Sequence, residues 1–170
     1  MGMKTTLLKS YAFNLSYAKK LVEGVDEKMM TTSGGPGLEN HAAFTLGHLV
    51  SAASLTVKYL GGTYQMPENW DELFRRKGPG DPRKPIESDF YPSKEVLLSE
   101  LAFLHGQVEQ LLLEFPEDEL AQPAKWRLSE YMSTKGDLIY FMCISHESMH
   151  LGQLAGWRRA MGLPSALAKL

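Results

Sequence analysis

Hydrophobic positions along the 170-residue chain recur at steps of three and four in four long stretches. In the first, Leu8, Tyr11, Leu15, Ala18, Val22, Val25 and Met29 keep the spacing that lines one face of an α-helix, which predicts a helix over residues 5–30. Residues 31–37 then combine flexible glycines with a helix-breaking proline and read as a loop. A second helix is predicted over 38–60. There Leu46, Leu49, Ala53, Val57 and Leu60 form one stripe, and Phe44, His48, Ser51 and Leu55 form an adjoining one. A helix that is apolar or small around most of its circumference is buried on most sides, so His48 is expected to point inward.

Residues 61–92 carry five prolines and scattered glycines, with one short helical turn expected around Trp70, Leu73 and Phe74. So long a connection frees the second and third helices from having to be antiparallel neighbours joined by a tight turn. Ser93 is a suitable N-cap for the third helix, in which Leu97, Leu101, Leu104, Val108, Leu111 and Phe115 keep the rhythm until Pro116. Thr134, followed three residues later by Asp137, offers a capping-box-like start to a last helix, which ends at Gly162 with Pro164 beyond. No stretch alternates at period two, and no repeat is visible. The expected fold class is all-α, a four-helix bundle.

Composition narrows the class without changing it. A chain of this length, 44% hydrophobic, builds one core, so residues 1–170 are expected to form a single domain. A formal charge of −2 provides neither a basic field for nucleic acid nor an acidic tail. The lone Cys143 cannot form an internal disulfide, which favours a reducing, cytoplasmic setting. Lys4 and Lys9 interrupt the first apolar run, and no stretch is long and apolar enough to span a membrane, so neither export nor a membrane is expected. Gly2 with Thr6 matches a myristoylation pattern, but Met1 and Gly2 ahead of Met3 read more simply as an added dipeptide.

The chemistry lies in the histidines. His146 and His150 are four apart on one helix face, where two imidazoles can share an ion. A further ligand must come from another element, and His48, in the middle of helix two, is the candidate. Spacing alone is a weak signal, because core histidines satisfied by hydrogen bonds give the same pattern. His41 and His105 have no spaced partner and read as structural or surface residues. The string from His146 to His150 is also a literal H-E-x-x-H, the zinc-protease pattern. No His, Asp or Glu follows His150 to supply that motif's downstream ligand, and no strands are expected to line a peptide. Protease activity is therefore set aside. Glu147 lies about 100° around the helix from His146 and reads as a surface carboxylate or a support for a ligand. Gln153 returns to the metal-facing side, where it can orient an imidazole or simply pack. Trp157 shares the face of His150, either walling a pocket or filling the core. Gly152 and Gly156 suit a close helix approach, and Cys143 reads as one more small core residue.

These segments resemble the DinB/YfiT-like superfamily. Leu46, Gly47, His48 and Leu49 are similar to its first histidine motif, and residues 146–154 to its C-terminal one, with Arg158, Gly162, Leu163 and Pro164 extending the likeness. The resemblance covers essentially the whole chain in helix order. It implies a bundle in up-down-down-up order and a three-histidine site, His48, His146 and His150, for zinc, nickel or a similar divalent ion. Homodimers are frequent in such families, and a homodimer is expected here on that ground alone.

Three neutral imidazoles leave an ion's charge uncompensated and a coordination position open, which suits catalysis on a small-molecule substrate. Some relatives in this superfamily are transferases that use a low-molecular-weight thiol, so metal-assisted thiol transfer ranks first among activities and hydrolysis by activated water second. Arg75, Arg76, Lys77, Arg83 and Lys84 in the long connector are suited to carboxylates of a thiol cofactor, although a solvated loop has the same composition. The other functional class is a non-catalytic metal-binding or stress-response protein, in which the ion merely clips helices together.

Overall fold

A computed structural model of the chain describes residues 2–76, 81, 83–86 and 90–170. The elements are α1 (Met3–Leu21), α2 (Glu27–Met30), α3 (Ala42–Tyr59), α4 (Trp70–Phe74), α5 (Lys94–Glu114), α6 (Glu117–Leu120), α7 (Lys135–Tyr140), a π-helical turn (Phe141–His146), α8 (Glu147–Ala160) and a terminal 3-10 turn (Leu167–Lys169). Among the described residues there is no strand, only an isolated bridge between Pro123 and Thr134. No helix is long and apolar enough to cross a membrane.

Four long helical units carry the core: α1, α3, α5 and the continuous α7–π–α8 helix. Contacts between their ends fix the directions. Lys4 at the start of α1 reaches the Phe115 carbonyl past the end of α5, and Lys94 at the start of α5 reaches the Val25 carbonyl past the end of α1, so these two are antiparallel. Arg158 near the end of α8 donates to the Leu21 carbonyl at 2.8 Å, at the end of α1, making α1 and α8 parallel. Ahead of α3, the Thr32 carbonyl accepts from Trp157 Nε1 at 2.8 Å, so α3 runs against α8. The order is therefore up-down-down-up. α3 and α5 are parallel neighbours, their starts joined by the His41–Tyr91 ring contact at 4.7 Å, which is the arrangement the long connector permits.

Local chemistry explains where the elements begin and end. The predicted first helix is broken: Gly24 adopts φ +73°, beyond the reach of most side chains, and the Asp26 side chain accepts from Met29 N at 2.7 Å to start the separate α2. Val22 and Val25 still face the core at this break, but beyond it Met30 is the buried methionine, whereas Met29 of the expected stripe is only partly buried. The second helix starts at Ala42 rather than residue 38, capped by His41, whose Nδ1 accepts from Phe44 N at 3.1 Å. Ser93 caps α5 as expected, and Thr134 and Asp137 form the reciprocal capping box of α7. α6 was not visible in the apolar pattern; its four residues are too few to show a period.

The α3 surface carries a constraint at Gly47. The Phe74 ring, fully buried, lies so close that a Cβ on Gly47 would stand 2.3 Å from its Cε1. This contact seats α4 on α3 beside His48. Gly47→Ala is expected to destabilise the chain by about 1–3 kcal/mol through overpacking. Urea unfolding measures it, and an unchanged midpoint would show that Phe74 yields freely.

Candidate metal centre

The antiparallel packing of α3 on the last helix brings His48 to the level of His146 and His150. Ring centroids are 5.3 Å apart for His48 and His146, 4.6 Å for His48 and His150, and 4.5 Å for His146 and His150. One nitrogen from each ring lies within 4.8 Å of the others, and among the described residues no thiol or carboxylate joins the group. The three residues singled out from spacing and resemblance therefore meet in space.

Two of the rings are oriented by hydrogen bonds. His48 Nδ1 lies 3.0 Å from the Phe74 carbonyl, which can only accept, so the proton sits on Nδ1 and Nε2 keeps its lone pair. His150 Nδ1 lies 3.1 Å from Gln153 Oε1, which fixes the same tautomer. Nδ1 of His146 is buried without a partner. An all-imidazole donor set, two rings with a defined free nitrogen and a third with an orphaned one, fits a first-row divalent ion.

Electrostatics favour the state such an ion needs. Burial, the largest cause, lowers the pKa of all three histidines. The Phe74 hydrogen bond partly opposes it at His48, while Arg76 lowers that ring further. With added repulsion from His48, His146 falls to about 4; repulsion from both other rings helps take His150 to about 3. All three are neutral near pH 7.

The acidic member of the H-E-x-x-H string faces elsewhere. Glu147 is 3% exposed, which corrects its reading as a surface carboxylate. Its Oε1 accepts from His105 Nε2 at 2.8 Å and its Oε2 from Asn14 at 3.2 Å. It therefore cannot activate a water at the three-histidine centre, and the protease reading has no base. His105 is buried and structural, stacked on Tyr11 at 3.6 Å between centroids. The same Asn14 amide reaches the Cys143 carbonyl at 3.3 Å inside the π-helical turn that ends at His146. Sequence spacing missed Asn14 and the π turn, because neither leaves a periodic mark. Cys143 is core, and burial pushes its thiol pKa up, with the Glu147 charge adding to the effect. Trp157 is also core, fully buried, with its Nε1 donating to the Thr32 carbonyl. Gly152 has no neighbour near its missing Cβ, and Gly156 meets only Leu38 at 3.6 Å, so neither is required for close helix packing within the chain.

The basic residues of the connector separate into two kinds. Arg75 pairs with Asp71 at 2.9 Å, Arg83 with Asp81 at 2.5 Å, and Lys84 with Glu39 at 3.6 Å. Lys77 lies outside the described residues. Arg76 instead sets its guanidinium carbon 4.1 Å over the Phe44 ring centroid, and Phe44 lies parallel to His48 at 5.9 Å.

The depressed histidine values also set the acid response of the metal-free chain. As pH falls below the ordinary 6.5, the unfolded chain takes up protons that the folded histidines still refuse. Stability is thus fully present above pH 6.5 and declines toward pH 4. Melting temperature measured across that window is expected to fall with acid, and to fall less steeply in His150→Gln. A wild-type profile no steeper than the variant's would contradict the assignment.

A crystal structure of a conserved protein from Enterococcus faecalis is similar to the chain, with a TM-score of 0.71 and 16% identity over 95% of this chain and 99% of the other. At that identity the likeness speaks to the fold alone. No curated protein sequence matches significantly. The sequence profile of the DinB superfamily matches residues 12–154, most of the chain and both histidine segments. With its bundle order and converging histidines, the chain belongs to the DinB superfamily.

Proposed function

We propose that the protein is a metal-dependent enzyme of the S-transferase type, in which His48, His146 and His150 hold a divalent ion, with zinc or nickel the best matched, and a low-molecular-weight thiol is the group transferred. The observation that carries this reading is the convergence of three neutral ring nitrogens within 4.8 Å, with no protein carboxylate or thiol in the group among the described residues. A divalent ion in such a site lowers the pKa of a thiol or water that joins it, so either becomes a usable nucleophile near neutral pH. The Phe74 carbonyl and Gln153 fix the ring orientations that binding requires, and burial keeps those rings unprotonated. Cys143 cannot serve as the nucleophile, since it is buried in the core. Thiol transfer ranks ahead of hydrolysis because, among the described residues, no carboxylate joins the three histidines to serve as a base for water.

The same three histidines would clip α3 to the last helix in a non-catalytic metal protein. Among the described residues only three side chains converge, which favours catalysis over that reading, because structural sites are closed by four.

Elemental analysis of protein purified without a metal-affinity column tests the proposal. About one ion per chain is expected, lost in His48→Ala and His146→Ala while helical content persists. Gln153→Ala should lower metal affinity by about ten- to a hundred-fold. No metal in any sample, even after incubation with divalent ions, would overturn the proposal; full occupancy in both histidine variants would overturn the ligand assignment.

A further inference from the structure

Three neutral imidazoles bring no negative charge to a divalent ion. The acid nearest in sequence, Glu147, is turned away and engaged by His105 and Asn14. Among the described residues, the side chain outside the group whose charge reaches two of these rings is a cation, Arg76. Arg76 follows Phe74, whose carbonyl holds His48, by two residues, and it lies over the Phe44 ring that runs parallel to His48. Its charge is felt at both His48 and His150.

Arg76 also differs from the other described basic residues of the connector. Arg75, Arg83 and Lys84 each have a carboxylate partner, whereas Arg76 Nη2 is buried with no hydrogen-bond partner. The Asp81 carboxylate, which influences Arg76, is engaged in a bidentate contact with Arg83. A guanidinium retained in a partly dry position, held by an aromatic face and with a donor unspent, has the chemistry of a carboxylate receptor: it is planar, permanently charged and able to donate in parallel. A polar cleft of about 260 Å³ is lined in part by the Gln153 that holds His150, together with Arg83 and Lys84, whose charges are met by Asp81 and Glu39 in the same lining.

We propose that Arg76 anchors a carboxylate of the small molecule that the centre binds, so that the site selects acidic ligands over neutral ones of the same size. The proposal rests on the metal-centre reading above and assigns its substrate class: one anionic group toward the ion, a second toward Arg76.

Calorimetric titration of malonate, and of its neutral analogue malonamide, into the zinc-loaded chain tests it. Malonate is expected to bind at least about ten-fold more tightly than malonamide. Arg76→Gln should lose most of that preference while binding zinc no more weakly than the wild type, and Arg76→Lys, which keeps the charge but not the fork, should recover part of the preference. Equal affinities in the wild type, or a preference that survives in Arg76→Gln, would overturn the anchor. If the chain takes up no zinc, the metal reading fails, and the same titrations of the metal-free chain decide Arg76 by themselves. Malonate affinity that depends on Arg76 sustains the anchor, and affinity independent of it overturns it.

Discussion

Burying three imidazoles against one another at a single level of a helical bundle carries a cost that the surrounding structure has to meet. Each ring loses hydration, which disfavours its charged form, and protonating a second ring would place like charges side by side, so the rings remain neutral and their free nitrogens converge. The Phe74 carbonyl and the Gln153 side chain take the protons on the outer nitrogens of His48 and His150. Gly47 has no side chain because the Phe74 ring occupies that space, and it is this seating of α4 that brings the Phe74 carbonyl to His48. The up-down-down-up order follows the same requirement, since it sets α3 antiparallel to the helix that carries the other two histidines.

The opposite face of that last helix solves a different problem. Glu147, His105, Asn14 and Tyr11 form a buried polar cluster in which the carboxylate is satisfied from two sides. A carboxylate left alone there would cost several kcal/mol, on the order of 3–5 when one partner of a buried pair is removed. The cluster locks α1 and α5 to the last helix and supports the π turn that delivers His146. An H-E-x-x-H string thus divides its labour across the helix: the histidines face α3, and the glutamate faces α1 and α5.

Much of this was legible from residue order. The stripes of α3 and α5, the Ser93 and Thr134 caps, and the short turn at Trp70 and Phe74 each follow from local spacing or chemistry. The three-histidine group was legible because two of the rings share a helix turn, the third sits at mid-helix on a mostly buried element, and both segments resemble a known family's histidine motifs. What was hidden depends on contacts distant in sequence. Glu147 is on a side of the helix that looks exposed until Asn14 and His105 arrive from α1 and α5. Gly24 sits inside an unbroken apolar rhythm, because residues on both sides of the turn pack into one core. Among five basic connector residues, sequence could not single out Arg76; pairing with Asp71, Asp81 and Glu39 separates the rest that are described.

The central claim is that these three rings form one metal site. Anomalous diffraction from crystals of the zinc-loaded protein tests it most directly. The account predicts one strong zinc peak bounded by His48, His146 and His150, at about 2.0–2.1 Å from a nitrogen of each ring. A peak elsewhere, or one that touches His146 and His150 but leaves His48 bonded only to Phe74, would contradict it.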